Sequence, residues 1–296
     1  MKTAVLTGAT GFLGFALLNE LIENGVYVYA LCRSNSRNLS RLDGLSGVRV
    51  VESDLDHLEI IEDIKNCDAF YHLAWEGNHG DFDIQYKNVI LAINCLKLAA
   101  NLGCRRFICA GSQAEYGNTT DLITEETLLK PTTAYGACKA AAFYLTSDLA
   151  RRLNIEHSWI RIFSVYGPND RPSVLILSLL TALKQTGRAA LATNGEHIWN
   201  YLYVEDAARA LRLLGENKLA CGVFNLASRI NKPLKNFVDE AKAIISASSI
   251  ITYSDKESEV NLNVSTKKIH RVIGEFERVK FCDGIEKIIE LHGQSK

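Results

Sequence analysis

The sequence carries no excess of charge of either sign: 33 lysines and arginines stand against 34 aspartates and glutamates, a formal net charge of -1. Nothing draws the chain as a whole to nucleic acid or to an anionic membrane surface, so any affinity for phosphate has to be local. It also lacks a C-x-x-C pair. Its eight cysteines, at positions 32, 67, 95, 104, 109, 138, 221 and 282, mostly sit among apolar neighbours. That pattern fits reduced, buried thiols in a cytosolic protein better than disulfides or zinc, and no metal is expected. No apolar stretch is long enough to span a bilayer, and Thr7 and the glycines break the run after Met1-Lys2 too soon for a signal-peptide core. The Asn-x-Ser/Thr triplets beginning at Asn38, Asn118 and Asn263 are therefore read as accidental, and the cytoplasm is the expected location. There is no internal repeat and no disordered linker. What remains is 296 residues, 47% of them hydrophobic, enough to bury a large core in one large domain or two unequal ones.

What is present is organised around Thr7-Gly8-Ala9-Thr10-Gly11-Phe12-Leu13-Gly14, which follows the apolar run Ala4-Val5-Leu6 and opens an amphipathic stretch. A strand that breaks into glycines and then into a helix brings bare backbone N–H groups and a helix N-terminus to one point, which favours a phosphate. Gly8 permits the turn off the strand, Gly11 lets backbone approach a pyrophosphate, and Gly14 lets the helix lie close on the sheet. The bland alternative is a tight strand-to-helix turn.

From Lys2 to about Arg161, apolar runs alternate with helical patterns. Strands are expected at Thr3 to Leu6, Val26 to Leu31, Val48 to Val51, Ala69 to Leu73, Arg106 to Ala110 and His157 to Ile160. Helices are expected at about 13 to 24, 57 to 65, 82 to 102 and 134 to 153. Short, nearly continuous apolar strands separated by helices predict an α/β fold, a doubly wound parallel (Rossmann) sheet covered on both faces. Its ligand should lie outside the carboxyl ends of the strands, where Gly8, Asp54, Ala74, Ser112 and Phe163 fall.

The end of the second strand bears on the cofactor. An acid that would bind the 2'-hydroxyl of NAD is missing from Ala30-Leu31-Cys32-Arg33-Ser34-Asn35. Arg33, with Ser34 and Arg37, is instead able to neutralise the 2'-phosphate of NADP, although a loop arginine can also simply be solvated; NADP is the expected cofactor and NAD the alternative. Asp54, beside Leu55, is placed to accept from the adenine amino group or to cap a helix. In Leu73-Ala74-Trp75 a small residue lets backbone approach the cofactor, and Trp75 is either a substrate platform or a core plug.

Ser112 follows the fifth strand, and Tyr135-Gly136-Ala137-Cys138-Lys139 begins the next helix. Of the eleven tyrosines, Tyr135 alone has a lysine four residues on, on the same helical face. The ammonium is expected to lower the phenol pKa from about 10 toward working pH, so that it can exchange a proton with a carbinol or carbonyl oxygen. Ser112 can hydrogen-bond the same oxygen. A surface pair and a turn cap are the structural alternatives.

At these residues the chain resembles the extended short-chain dehydrogenase/reductase family, in particular its nucleotide-sugar epimerases, dehydratases and 4-ketoreductases. The likeness continues through Arg161-Ile162-Phe163-Ser164-Val165-Tyr166-Gly167-Pro168 and Tyr201-Leu202-Tyr203-Val204-Glu205-Asp206. It implies a catalytic Ser112, Tyr135, Lys139 set, with Lys139 also holding the nicotinamide ribose and Asn88 supporting the site from behind. It further implies a cofactor site including Thr10, Phe12, Leu13, Leu73 and Phe163, and a substrate site including Trp75, Gln113, Ser164 and Trp199.

Departures from the family pattern narrow the chemistry. Gln113 and Ala114 stand where dehydratases carry an Asp-Glu pair, and Ala114 stands where combined epimerase-reductases place a cysteine. Hydride transfer at one carbon remains. An NADPH-dependent reductase of a nucleotide-linked 4-ketosugar is expected, an NAD(P)-dependent 4-epimerase is the alternative, and a non-catalytic NADP-binding sensor a remote one.

Residues 1–168 should form the dinucleotide domain, with 200–228 returning to it, and 169–296 mainly a substrate lobe. The family's diphosphate-binding arginine is replaced by Trp199, its asparagine by Ser164, and Lys256 is the nearest stand-in for a later arginine; Arg171, Arg188 and His197 are other candidates for phosphate. A homodimer through the helices at 82–102 and 134–153 is implied by the resemblance, and Ala140, Ala141 and Leu145 would permit it.

Overall fold

The computed structural model describes residues 1–36, 38–53, 64, 66–77 and 80–294. The expected helix at 57–65 thus falls, Ile64 apart, outside the described residues, as do Arg37, Asp54 and Leu55.

The chain opens with β1 (Thr3–Thr7), α1 (Phe12–Glu23), β2 (Tyr27–Cys32), β3 (Val48–Glu52) and β4 (Ala69–His72), then α2 (Phe82–Asn101), β5 (Arg106–Ser112), α3 (Ala134–Leu153) and β6 (Glu156–Ile162). These six strands and a later one, β11 (Gly222–Leu226), form a seven-stranded sheet in the order β11-β6-β5-β4-β1-β2-β3. Every pairing within it is parallel. Sequence-derived strand ends agree with the structure to within two residues, and the inner strands β1 and β4, buried on both faces, are nearly unbroken apolar runs.

Alternation along the strands sends neighbours to opposite layers. Ala4 and Leu6 join Leu17, Leu21, Leu211 and Leu214 on one face, while Val5, Phe70 and Phe107 join Ala92, Leu96 and Ala142 on the other. Five of the eight cysteines are buried, as their apolar neighbours suggested. Order reverses at β1: from there the chain runs outward through β2 and β3, then returns to β4. The crevice at that switch point is where ligands of open α/β sheets bind.

The remaining chain builds a second lobe. It contains β7 (Val165–Tyr166), α4 (Leu175–Thr186), β8 (Arg188–Leu191), β9 (Ile198–Asn200) and β10 (Leu202–Tyr203), whereas α5 (Val204–Glu216) packs back on α1 and the main sheet through Leu211 and Leu214. Beyond β11 follow β12 (Asn231–Pro233), α6 (Leu234–Ile245), β13 (Ile250–Tyr253), α7 (Lys267–Ile273) and α8 (Phe281–Gln294). Three two-stranded ribbons, β10-β7, β12-β9 and β13-β8, pack with Leu180, Leu183, Phe237, Val238 and Ile285 into a core of their own. Asp206, in the motif shared with the family, is buried and accepts from the backbone of Arg278 (3.0 Å) and Val279 (2.9 Å), tying α5 to the segment before α8. Among the described residues no helix is long and apolar enough to cross a membrane.

Candidate active site

The glycine loop is fixed by geometry that a side chain would destroy. Gly8 has φ +79°, and a Cβ there would lie 2.8 Å from the Ala74 nitrogen; a Cβ on Gly14 would lie 1.9 Å from the Gly8 carbonyl oxygen. The Gly11 N–H donates to that same carbonyl at 3.0 Å. Behind the loop, Thr7 Oγ1 accepts from the Ala74 N–H at 3.3 Å and pairs with His72 Nδ1 at 2.8 Å. Burial pushes His72 down to about 3, so its ring is neutral, and the ends of β1 and β4 are locked together.

Two cavities meet along Gly8, Gly11, Leu73 and Trp75. The first, about 710 Å³, also reaches Thr10, Arg33, Ala74, Glu76 and Asn88. The second, about 570 Å³, reaches Phe12, Leu13, Gly14, Ser112, Gln113, Tyr135, Lys139, Phe163, Ser164 and Arg171. Their junction over the glycine loop gives a cleft that suits a dinucleotide: the loop and the start of α1 would hold the pyrophosphate, with one nucleoside in each cavity. α1 takes no side-chain cap, which leaves its first N–H groups to that role.

Ser112 ends β5 and starts a short 3₁₀ turn, Gln113–Glu115. Its Oγ accepts from the Ala114 N–H at 3.2 Å, and its own N–H donates to Glu115 Oε1 at 2.8 Å, a reciprocal capping box. The cap therefore coincides with a position on the wall of the second cavity. Thr133 caps α3 by accepting from the Gly136 N–H at 3.1 Å, and a Cβ on Gly136 would lie 2.3 Å from the Ala114 carbonyl oxygen. That close packing brings Tyr135 to Ser112, and the two hydroxyls hydrogen-bond.

One expectation is corrected here. Burial raises the Tyr135 phenol above its ordinary range rather than lowering it; Ser112 and Arg171 pull it down and Glu115 pushes it up. The buried ammonium instead donates to the Ala110 carbonyl at 2.6 Å and sits 3.5 Å from the centre of the Trp75 ring, against 5.8 Å for the Tyr135 ring. Desolvation lowers Lys139 itself to about 8. A shared helical face places both groups in the cleft.

Trp75 is a wall of the cleft rather than a core plug. Its indole N–H donates to Gln85 Oε1 at 2.7 Å and its ring meets Tyr135 edge-on, 6.2 Å between centroids. Asn88 lies behind it, as expected, but acts on the segment after β4: its Oδ1 accepts from the Glu76 N–H at 2.9 Å and its Nδ2 donates to the Glu76 carbonyl at 3.0 Å. Trp199 does not reach either cavity. It packs in the lobe beside His197 and Tyr201, with ring centroids 5.5 and 6.3 Å away, because β9 pairs with β12 and turns it into that core.

Sequence reasoning missed four residues. Glu115 is fully buried, bonded to Arg161 Nε at 2.7 Å and to Trp159 Nε1 at 2.9 Å, and Arg161 Nη1 donates to Tyr116 Oη at 2.9 Å. The spacing Ser112-x-x-Glu115 was the available signal. Arg41 Nη1 donates to the Thr10 carbonyl at 3.4 Å beside the loop, and Glu76 forms an ion pair with Arg33; nothing in their local sequence marked either.

The sheet order, the glycine loop at its switch point and the Ser-Tyr-Lys set define a dinucleotide-binding oxidoreductase architecture. Residues 4–227 match the model of the NAD dependent epimerase/dehydratase family, and the chain belongs to that family, within the extended short-chain dehydrogenases/reductases, a family of enzymes. It is 24% identical over 246 residues, 80% of this chain and 88% of the relative, to dTDP-6-deoxy-L-talose 4-dehydrogenase (NAD(+)) of Aggregatibacter actinomycetemcomitans. It is 23% identical over 320 residues to a trifunctional UDP-glucose 4,6-dehydratase/UDP-4-keto-6-deoxy-D-glucose 3,5-epimerase/UDP-4-keto-L-rhamnose-reductase of Arabidopsis thaliana, covering 99% of this chain but 48% of that protein. Among solved structures, MoeE5 in complex with UDP-glucose and NAD has the same fold, with TM-score 0.83, 24% identity and 99% of each chain covered.

Proposed function

We propose that the protein moves a hydride to or from C4 of a nucleotide-linked sugar, working as an NADPH-dependent 4-ketoreductase. The carrying observation is the hydrogen-bonded Ser112–Tyr135 pair with its phenol held protonated beside Gln113 and Ala114, which offer neither the acid nor the base that elimination or epimerisation next to the carbonyl needs. A reduction has to protonate the carbonyl oxygen, so a phenol that keeps its proton at neutral pH suits that direction. A relative named as a 4-dehydrogenase performs, in reverse, hydride transfer at one carbon, which supports the same reading. That name specifies NAD(+), so NAD(H) stands as the alternative to NADP(H).

In this reading residues 1–168 with 200–228 hold the cofactor and 169–296 close over the sugar nucleotide. The dihydronicotinamide, when bound, supplies the hydride. Ser112 Oγ donates to the carbonyl oxygen and fixes its orientation, while Tyr135 Oη delivers the proton to it. Lys139, freed from the Trp75 face, would take the nicotinamide ribose. Arg171, on the wall of the catalytic cavity, is the cation best placed for the substrate's phosphates now that Trp199 is accounted for. Phe82, Tyr86 and Ile90 on α2 and Tyr144 and Leu145 on α3 are exposed apolar residues and support a homodimer through these helices; Ala140 is buried within the chain and takes no part.

The test is to supply dTDP- or UDP-linked 4-keto-6-deoxyhexose with NADPH or NADH. Oxidation of the dinucleotide mole for mole with sugar supports the reductase. A protein that retains NAD and interconverts two sugars with no net cofactor change is an epimerase.

A further inference from the structure

We propose that Glu76 sets how the cleft treats a 2'-phosphate, by holding Arg33 and standing beside the place such a phosphate would occupy. This deepens the dinucleotide reading of the cleft and rests on it. Arg33 follows β2 and Glu76 follows β4, and β1 lies between those two strands in the sheet. Their ion pair therefore bridges the mouth of the larger cavity, which both residues line.

Glu76 is not a loose surface acid. Its N–H donates to Asn88 Oδ1 at 2.9 Å, and its carbonyl accepts from Asn88 Nδ2 at 3.0 Å and Gln85 Nε2 at 3.3 Å. Both amides are buried in α2, so the Glu76 backbone is pinned at three points while its carboxylate stays 47% exposed, facing an Arg33 that is 52% exposed. Among the described residues the other charged side chain on this wall is Lys87. The main chain that carries the carboxylate is therefore held at the wall of the cleft.

The consequence follows from charge. A ribose 2'-phosphate brings roughly one and a half to two negative charges. To reach Arg33 it has to compete with Glu76 for the guanidinium, and it then remains near a carboxylate whose backbone is held at the cleft wall. An unphosphorylated ribose meets neither cost, and its hydroxyls can donate to Glu76. Arg33 read alone argues for NADP(H); Arg33 paired with Glu76 brings NAD(H) and NADP(H) toward parity. The acid absent from the end of β2 is supplied from the end of β4.

Isothermal titration of the full-length protein with NAD⁺ and with NADP⁺ tests this without reference to turnover, in wild type, Glu76→Gln, Arg33→Gln and the double variant. Glu76→Gln should shift the ratio of the two dissociation constants toward NADP⁺ by about tenfold, the scale of one charge near a phosphate in a solvent-exposed site. In the Arg33→Gln background most of that gain should vanish. An unchanged ratio in Glu76→Gln overturns the proposal, and so does a full gain that persists without Arg33. If the wild type binds neither dinucleotide, the cofactor reading of the cleft falls as well, which distinguishes that failure from this one.

Discussion

Two arginine–glutamate pairs flank the cleft that holds Ser112, Tyr135 and Lys139, and they teach opposite lessons. Arg161 and Glu115 are 2% and 0% exposed, Arg33 and Glu76 52% and 47%. The inner carboxylate accepts from Arg161, Trp159 and the Ser112 backbone, so each lone pair that burial strips of water is given a partner. Its value lies in fixing Ser112, and breaking it leaves a charge in the core. The outer pair is solvated, contributes about 0–1 kcal/mol to stability, and is available to reorganise around a ligand. One pair is part of the frame and the other part of the binding surface.

Four measurements would break or sharpen that division. Tyr135→Phe separates chemistry from frame most clearly: turnover should fall by roughly 10²–10⁴ while unfolding free energy changes by about 1 kcal/mol, the net worth of one hydrogen bond. A variant that unfolds instead would put Tyr135 in the frame. Glu115→Ala should cost about 3–5 kcal/mol, because Arg161 is left uncompensated, as seen in urea midpoints; a loss under ~1 kcal/mol would place the inner pair with the outer one.

Next in size is pH. Lys139 is lowered to about 8 by burial, so it is a cation below that pH and neutral above it. If the cation binds the nicotinamide ribose, kcat/KM should fall about tenfold per pH unit above the limb. A flat profile to pH 10 would remove Lys139 from that role. The smallest effect is expected for Arg33→Gln, which should alter the unfolding free energy by less than about 1 kcal/mol.

How far the sequence could be read follows the same line between regular and relational features. β1 through β6 were legible because each carries a short run of apolar or β-branched residues, buried on both faces in β1 and β4 though not in the partly exposed edge strand β3. The ribbons β7-β10, β9-β12 and β13-β8 were harder to read, since two to four residues leave no period to detect. Gly8, Gly14, Ser112 and Tyr135 could be found because backbone geometry or motif spacing confines them. Glu76 could not, because its partners Arg33 and Asn88 lie on other elements. Trp199 was assigned to the substrate by position alone, while the β9-β12 pairing turns it into the lobe. The Lys139 expectation failed because sequence spacing says which face a side chain shares and says nothing of what desolvates it.

The protein has three tryptophans. Trp159 is fully enclosed and Trp199 is packed in the lobe, leaving Trp75 alone on the partition between the two cavities. A reduced dinucleotide seated in both absorbs light where an indole emits, so its nearest donor is this one ring. Ultraviolet excitation should therefore pass energy from Trp75 to the bound cofactor, and a Trp75→Phe chain should show weaker transfer, carried by the two remaining indoles, which makes occupancy readable by native fluorescence without any attached dye.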